Sequence, residues 1–152
     1  MQAGRSGPSN LRMVMDIVLL VGRILFALIF INSGIAHFTK NAAMTGYAQY
    51  KKVPLARLSV YVSGLMILLG GVYIALGFYA DLGALLLAAF LIPAALIFHT
   101  FWKETDATAK QNETIAFFKD LSLAGAALII FALLHNGANF GPNVGTLLFW
   151  AN

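Results

Sequence analysis

Polar and apolar residues alternate along this chain in whole segments, not residue by residue. Apolar positions run almost unbroken from Ile17 to Phe38, Leu58 to Tyr79, Leu82 to Trp102 and Leu121 to Leu134. A helix that crosses a bilayer takes about 20 mostly apolar residues. The first three runs have that length, and the fourth reaches it when counted from Phe117 to Asn136. In lipid, backbone polar groups must find partners inside the protein, which leaves helices or closed barrels. Barrel strands alternate apolar and polar positions, and these runs do not. The pattern predicts an all-α fold, an integral membrane four-helix bundle with short loops. It forms one membrane domain over residues 1–152, with spans at about 17–38, 58–79, 82–102 and 117–136.

The connecting segments carry their own signals. In the first loop, Thr39 to Arg57, the stretch Ala42–Tyr50 holds good helix formers and ends before Pro54. It predicts a short interfacial helix. Only Tyr79, Ala80 and Asp81 separate the second and third runs, so those helices must be antiparallel neighbours. The turn-rich segment after Leu134 leads to Val144–Trp150, which is too short to span. A short interfacial C-terminal segment is expected there, with Phe149 and Trp150 at the headgroups. Arg5 and Arg12 before an apolar run resemble a signal peptide. An apolar signal core is about 7–15 residues, however, and this run is longer and contains Arg23. An uncleaved first helix is the expectation.

Composition narrows the classes. Hydrophobic residues make up 60% and charged residues 11%, against about 25% charged in soluble domains. The net charge of +4 resides in short loops beside apolar runs. That placement suits anionic lipid headgroups, and no nucleic-acid partner is expected. There is no cysteine, which excludes disulfides, thiolate metal sites and thiol catalysis within the chain. Four spans put Arg5 and Arg12 on one face, against Lys40, Lys51, Lys52, Arg57, Lys103, Lys110 and Lys119 on the other. Two against seven predicts a multi-pass cell-membrane protein with loops one and three cytoplasmic and both termini outside.

The same topology gathers candidate chemistry. His37 ends helix one, Arg57 begins helix two, His99 ends helix three, and Lys119 with Asp120 begins helix four. All lie on one membrane face, with Lys40 and Trp102. Histidine titrates near neutrality and relays protons, and ionisable groups at membrane depth are default functional candidates. The competing reading is an ordinary interface, where snorkelling lysines and an aromatic belt give a similar set. Lys51, Lys52 and Lys110 fit that second reading. Two histidines without nearby cysteine or paired carboxylates give only a weak metal signal, and no metal is assigned. Arg23 lies deeper. Spacing places Arg23, Ala27, Phe30, Gly34 and His37 on one stripe. Its small residues suit helix packing, so a buried Arg23 paired with Asp16 or Asp81 is expected; a snorkelling arginine is the alternative. In helix two, Ser63, Gly70 and Gly77 form one small-residue stripe, with Gly64 and Gly71 beside it. Small residues let membrane helices approach closely. Pro93, six residues before His99, predicts a kink in helix three. The ligand-binding candidates are Arg23, His37, His99, Lys119 and Asp120, and no catalytic residue is assigned.

An ordered set of residues across the four helices resembles the DoxX family of small four-helix membrane proteins. In helix one it is Gly22-Arg23, Phe30, Ser33-Gly34 and His37-Phe38. In helix two it is Gly70-Gly71 and Gly77. Ala88 to Pro93, His99, Phe101-Trp102 and Phe117-Phe118-Lys119-Asp120-Leu121 complete it, over about residues 17–134. The family pattern places an acidic residue before the double glycine. Met66, Ile67 and Leu68 stand there instead, so no mechanism through that carboxylate is carried over.

The resemblance implies a subunit of a redox complex. The family takes its name from subunits of a membrane oxidoreductase that passes electrons from thiosulfate to quinone. Other members are similar to components of oxidative-stress complexes with a superoxide dismutase and a sulfurtransferase. More distant relatives look like chaperones or cargo receptors. The leading expectation is an integral membrane subunit of a DoxX-type redox complex, quinone-linked, in thiosulfate, thiol or oxidative-stress metabolism. Its polar mouth would hold a quinone head or dock a cytoplasmic redox partner. The alternative is a non-enzymatic membrane scaffold or assembly protein. A homo-oligomer is left open.

Overall fold

The computed structural model describes residues 9–145. The expected interfacial stretch beyond Gly145, including Phe149 and Trp150, lies outside the described residues. Helix α1 runs Ser9–Thr39, α2 Asn41–Tyr50, α3 Ala56–Leu76, α4 Ala80–Phe98 and α5 Ala107–His135, with a 3₁₀ turn at Phe101–Lys103 between the last two. The described residues are all helix and loop, and four of the helices, α1, α3, α4 and α5, are long and apolar enough to cross a membrane.

Two helices outrun their apolar cores. α1 begins eight residues before Ile17, through Leu11, Met13, Val14 and Met15, all exposed. Leucine and methionine are good helix formers, and all four residues extend the apolar wall of α1. α5 begins at Ala107 because Asp106 caps it: the Asp106 carboxylate accepts the Ala109 N–H at 2.8 Å. An N-cap acceptor satisfies a backbone donor that the first turn leaves unpaired. α3 ends at Gly77, whose φ of +69° lets its N–H reach the Tyr73 carbonyl. That left-handed stop costs glycine little and allows the tight reversal into α4.

The helices pack in the order α1–α3–α4–α5, with α2 laid against α3 and the end of α1. Among the described residues, no Cα of α1 comes within 8 Å of one in α4 or α5. The bundle is therefore built on the close pairs and is cleft between its first and last members. α1 buries Arg23, Ala27, Phe30 and Gly34, one stripe, and turns Leu25, Leu28 and Ile29 outward. Apolar side chains facing lipid gain nothing by burial, so backbone approach and packing must hold the helices. Glycines supply it. A Cβ on Gly64 would stand 2.5 Å from the Cβ of His37, and one on Gly83 would stand 2.9 Å from the Gly70 carbonyl oxygen.

Two alanine substitutions separate contact from propensity. Gly64→Ala forces α1 off α3, and overpacking of this kind costs about 1–3 kcal/mol. Gly125 on α5 has nothing within 4 Å of its would-be Cβ, so Gly125→Ala should be neutral or stabilising by up to about 1 kcal/mol. Thermal unfolding in lipid nanodiscs, followed by tryptophan emission, should show a lowered midpoint only for the first.

Candidate functional site

The end of α1 sets the first polar group. Gly64 leaves room for His37, whose ring meets Phe90 of α4 edge-on at 6.1 Å. The His37 Nδ1 lies 2.8 Å from the Ser33 carbonyl oxygen. A carbonyl can only accept, so Nδ1 carries the hydrogen and Nε2 is left for other partners.

The second group is built where α4 stops. His99 follows the last turn of α4, and its N–H still reaches the Ala95 carbonyl. Its ring stands between two carboxylates of α5. Nδ1 is 2.9 Å from Glu113 Oε2, and Nε2 is 3.4 Å from Asp120 Oδ2. Lys119 Nζ lies 3.8 Å from the other Asp120 oxygen. Because the two carboxylates bind opposite ring nitrogens, they cannot converge on one ion. Among the described residues no cluster of three ligating side chains could hold a metal.

These groups open onto one cleft of about 690 Å³. Phe30, Ser33 and His37 of α1 form one wall, and Phe90, Pro93 and Ile97 of α4 with Leu123 of α5 form the other. Ser63 and Ile67 of α3 lie along it, and Met44 and Tyr47 of α2 cover one end. α2 is seated there by Ala48, which packs with Ala56 and Val60 of α3 against Phe98. The cleft lining is mostly apolar, and His37, Lys40, His99, Lys119 and Asp120 are its titratable members. Its size falls in the range of small-molecule pockets, about 300–1,000 Å³, and such pockets pair apolar walls with a few placed polar groups.

Four of the five sequence candidates, His37, His99, Lys119 and Asp120, therefore share this cleft, and Arg23 does not line it. Arg23 lies fourteen residues earlier on α1, about 21 Å along the axis at 1.5 Å per residue. It is buried, with 4% of its surface exposed. The expected carboxylate pairing is corrected: its hydrogen bonds go to the main-chain oxygens of Phe140 at 2.6 Å, Pro142 at 2.7 Å and Ala75 at 2.8 Å. The Phe140 ring covers the guanidinium at 4.8 Å, and Nε has no hydrogen-bond partner among the described residues. Asp16 instead accepts from Asn139 Nδ2 at 2.7 Å, and Asp81 Oδ1 accepts from the Leu82 N–H at 2.9 Å. The segment after α5 folds back onto α1 and brings its carbonyls to Arg23, so the arginine is a structural clamp.

Glu113 is the residue that sequence reasoning passed over. It stands in what reads as a mixed-charge loop. The available signal was its spacing: seven residues before Asp120, two helical turns, which puts both carboxylates on one face once the helix starts at Asp106.

Comparison with known proteins falls on this same architecture. The family model DoxX matches residues 18–100, which takes in His37 and His99. The inner membrane protein YphA of Escherichia coli (strain K12) is 32% identical over 117 residues, covering 75% of this chain and 81% of that protein. The inner membrane protein YqjF of the same organism is 30% identical over 115 residues, covering 76% and 82%. No solved structure matches the chain.

Proposed function

The chain belongs to the DoxX family, and from that premise we propose that it is a membrane-embedded, quinone-linked subunit of a redox complex. The observation that carries this reading is the cleft: mostly apolar, with His37, His99, Lys119 and Asp120 in its lining. A quinone head presents carbonyl acceptors, and its tail needs apolar walls. The Lys119 ammonium can donate to such a carbonyl, His37 Nε2 can accept from the hydroxyl of the reduced, quinol form, and Phe30, Phe90 and Ile97 offer the apolar contact. A bound quinone supplies the two-electron, two-proton chemistry that no side chain here provides. The protein's own residues bind and orient the head and keep water from the apolar part. Electrons then come from a partner protein on the face that carries the cleft's polar end.

Photoaffinity labelling with an azido-quinone in lipid nanodiscs tests the placement. Label should map to the peptide around Ser33–His37 and to Phe90–Phe98. Label confined to outward residues such as Leu25 and Leu28, or none above protein-free discs, would favour the scaffold reading.

The same proposal includes an orientation. Two basic residues against seven place the first and third loops in the cytoplasm. Reporter fusions at residue 152 and near Asn112 should report opposite faces, with residue 152 outside. A cytoplasmic residue 152 would reverse the orientation and move the partner-docking face.

A further inference from the structure

Asp120 is a buried carboxylate that lines the cleft without a hydrogen bond. Only 8% of its surface is exposed, and it joins the lining from α5. Its polar neighbours stand off. His99 Nε2 is 3.4 Å from Oδ2, and Lys119 Nζ is 3.8 Å from Oδ1. Both exceed the usual N–H···O distance of about 2.7–3.2 Å. Among the described residues no closer donor reaches this carboxylate. An ionised carboxyl group can only accept, and leaving it unbonded beside apolar walls is costly. The arrangement calls for a donor from whatever occupies the cleft.

Charge decides the kind of donor. Lys119 stands beside Asp120, and Lys40 is in the same lining. An ammonium head would meet those like charges, whereas a neutral hydroxyl would not. The α1 wall repeats the chemistry. His37 gives its Nδ1 hydrogen to the Ser33 carbonyl at 2.8 Å, so its Nε2 is an acceptor too. Acceptors on α1 and on α5 suit a head that carries two hydroxyl groups.

The lysines do not discriminate in this way. An ammonium donates equally to a carbonyl oxygen or a hydroxyl oxygen, since both accept. Lys119, with 52% of its side chain exposed, also reaches water. Asp120 and His37 Nε2 do discriminate. A carbonyl brings them a lone pair, and a hydroxyl brings them a hydrogen. Sites that bond a substrate hydroxyl reject the analogue without it, because their buried acceptors are left stranded.

We propose that Asp120, with His37 Nε2 as second acceptor, makes the cleft selective for the reduced, dihydroxy form of an aromatic head over its dicarbonyl form. This selectivity rests on the quinone reading of the cleft given above. The two forms differ by two electrons and two protons, so unequal binding shifts the potential of the bound pair. Tenfold tighter binding of the reduced form raises that potential by about 30 mV. The shift favours electron flow from a partner protein into the cleft.

The test compares three ligands with the same short tail on wild type in lipid nanodiscs, corrected for partition into protein-free discs. They are a quinone, its quinol kept reduced under anaerobic conditions, and the dimethyl ether of that quinol. The ether keeps the ring and both oxygens and loses both donors. The quinol should bind roughly tenfold or more tightly than either of the others. Asp120→Asn, of equal size, should narrow the preference for quinol over quinone, because its amide also offers donors to a carbonyl. A purely structural role for Asp120 would weaken both ligands together and leave their ratio unchanged. A wild-type thermal midpoint shows that the variant is folded, and the wild-type comparison stands without it. Saturable binding of quinone and quinol with equal affinity, an ether that binds as well as the quinol, or an undiminished preference in folded Asp120→Asn would overturn the selectivity while leaving the cleft reading in place. No saturable binding by any of the three would overturn both.

Discussion

Replacing Arg23 with alanine will lower the stability of the bundle by about 3 kcal/mol or more, the largest effect expected of any single truncation here. The guanidinium joins three main-chain oxygens from two segments, Ala75 at the end of α3 and Phe140 and Pro142 after α5. Truncation strands those carbonyls, and each buried acceptor left without a donor costs about 1–3 kcal/mol. Relief from burying a charge offsets part of that sum, because among the described residues no carboxylate pairs with Arg23 to repay its desolvation. The ring contact with Phe140 is lost as well. Lysine will not rescue fully, since a single ammonium cannot reproduce the planar fork. The loss should show locally first. Asn139 to Val144 are tied to the helices by Arg23, by Asp16 and by the Val144 N–H on the Leu76 carbonyl at 3.2 Å. Limited proteolysis should therefore cut this segment in Arg23→Ala under conditions that leave wild type intact. A variant with wild-type midpoint and protease resistance would show that the clamp contributes nothing.

That clamp also marks where sequence reasoning stops. Arg23 reads as buried because Ala27 and Gly34 share its stripe, and α1 buries that stripe. Its partners do not read at all. They are carbonyls, which every residue has, delivered by a segment whose only sequence mark is turn-forming residues. The four apolar runs are legible because length and continuity alone decide that signal. The ends of α1 and α5 are less so: a cap such as Asp106 is one residue, and its effect depends on the helix that follows. At the site, topology alone brings His37, His99, Lys119 and Asp120 to one face. Their convergence on a cleft depends on the separation of α1 from α5 and on α2 lying across one end, which are packing outcomes. Glu113 was readable only after the start of α5 was known.

The second large effect concerns His37. Of the cleft's two histidines it is the one with a nitrogen left open, since Ser33 engages Nδ1 while Glu113 and Asp120 stand at both nitrogens of His99. A ligand head with a hydroxyl group, as in a quinol, should therefore make its main hydrogen bond by donating to His37 Nε2. In a dry site the loss of that bond costs about 1–3 kcal/mol, roughly tenfold or more in affinity. His37→Ala should weaken binding by that factor with little change in unfolding, because Gly64 already accommodates the backbone there. His99→Ala removes a group engaged by Glu113 and Asp120 and should reduce stability as well as binding, so it is the poorer probe. The decisive measurement is the equilibrium titration of wild type and His37→Ala in lipid nanodiscs with a short-tailed quinol kept reduced under anaerobic conditions, corrected for partition into protein-free discs. The account predicts saturable binding at one site per chain, weakened about tenfold or more in the variant. Equal affinity in the two proteins, or no saturable binding by wild type, would contradict it.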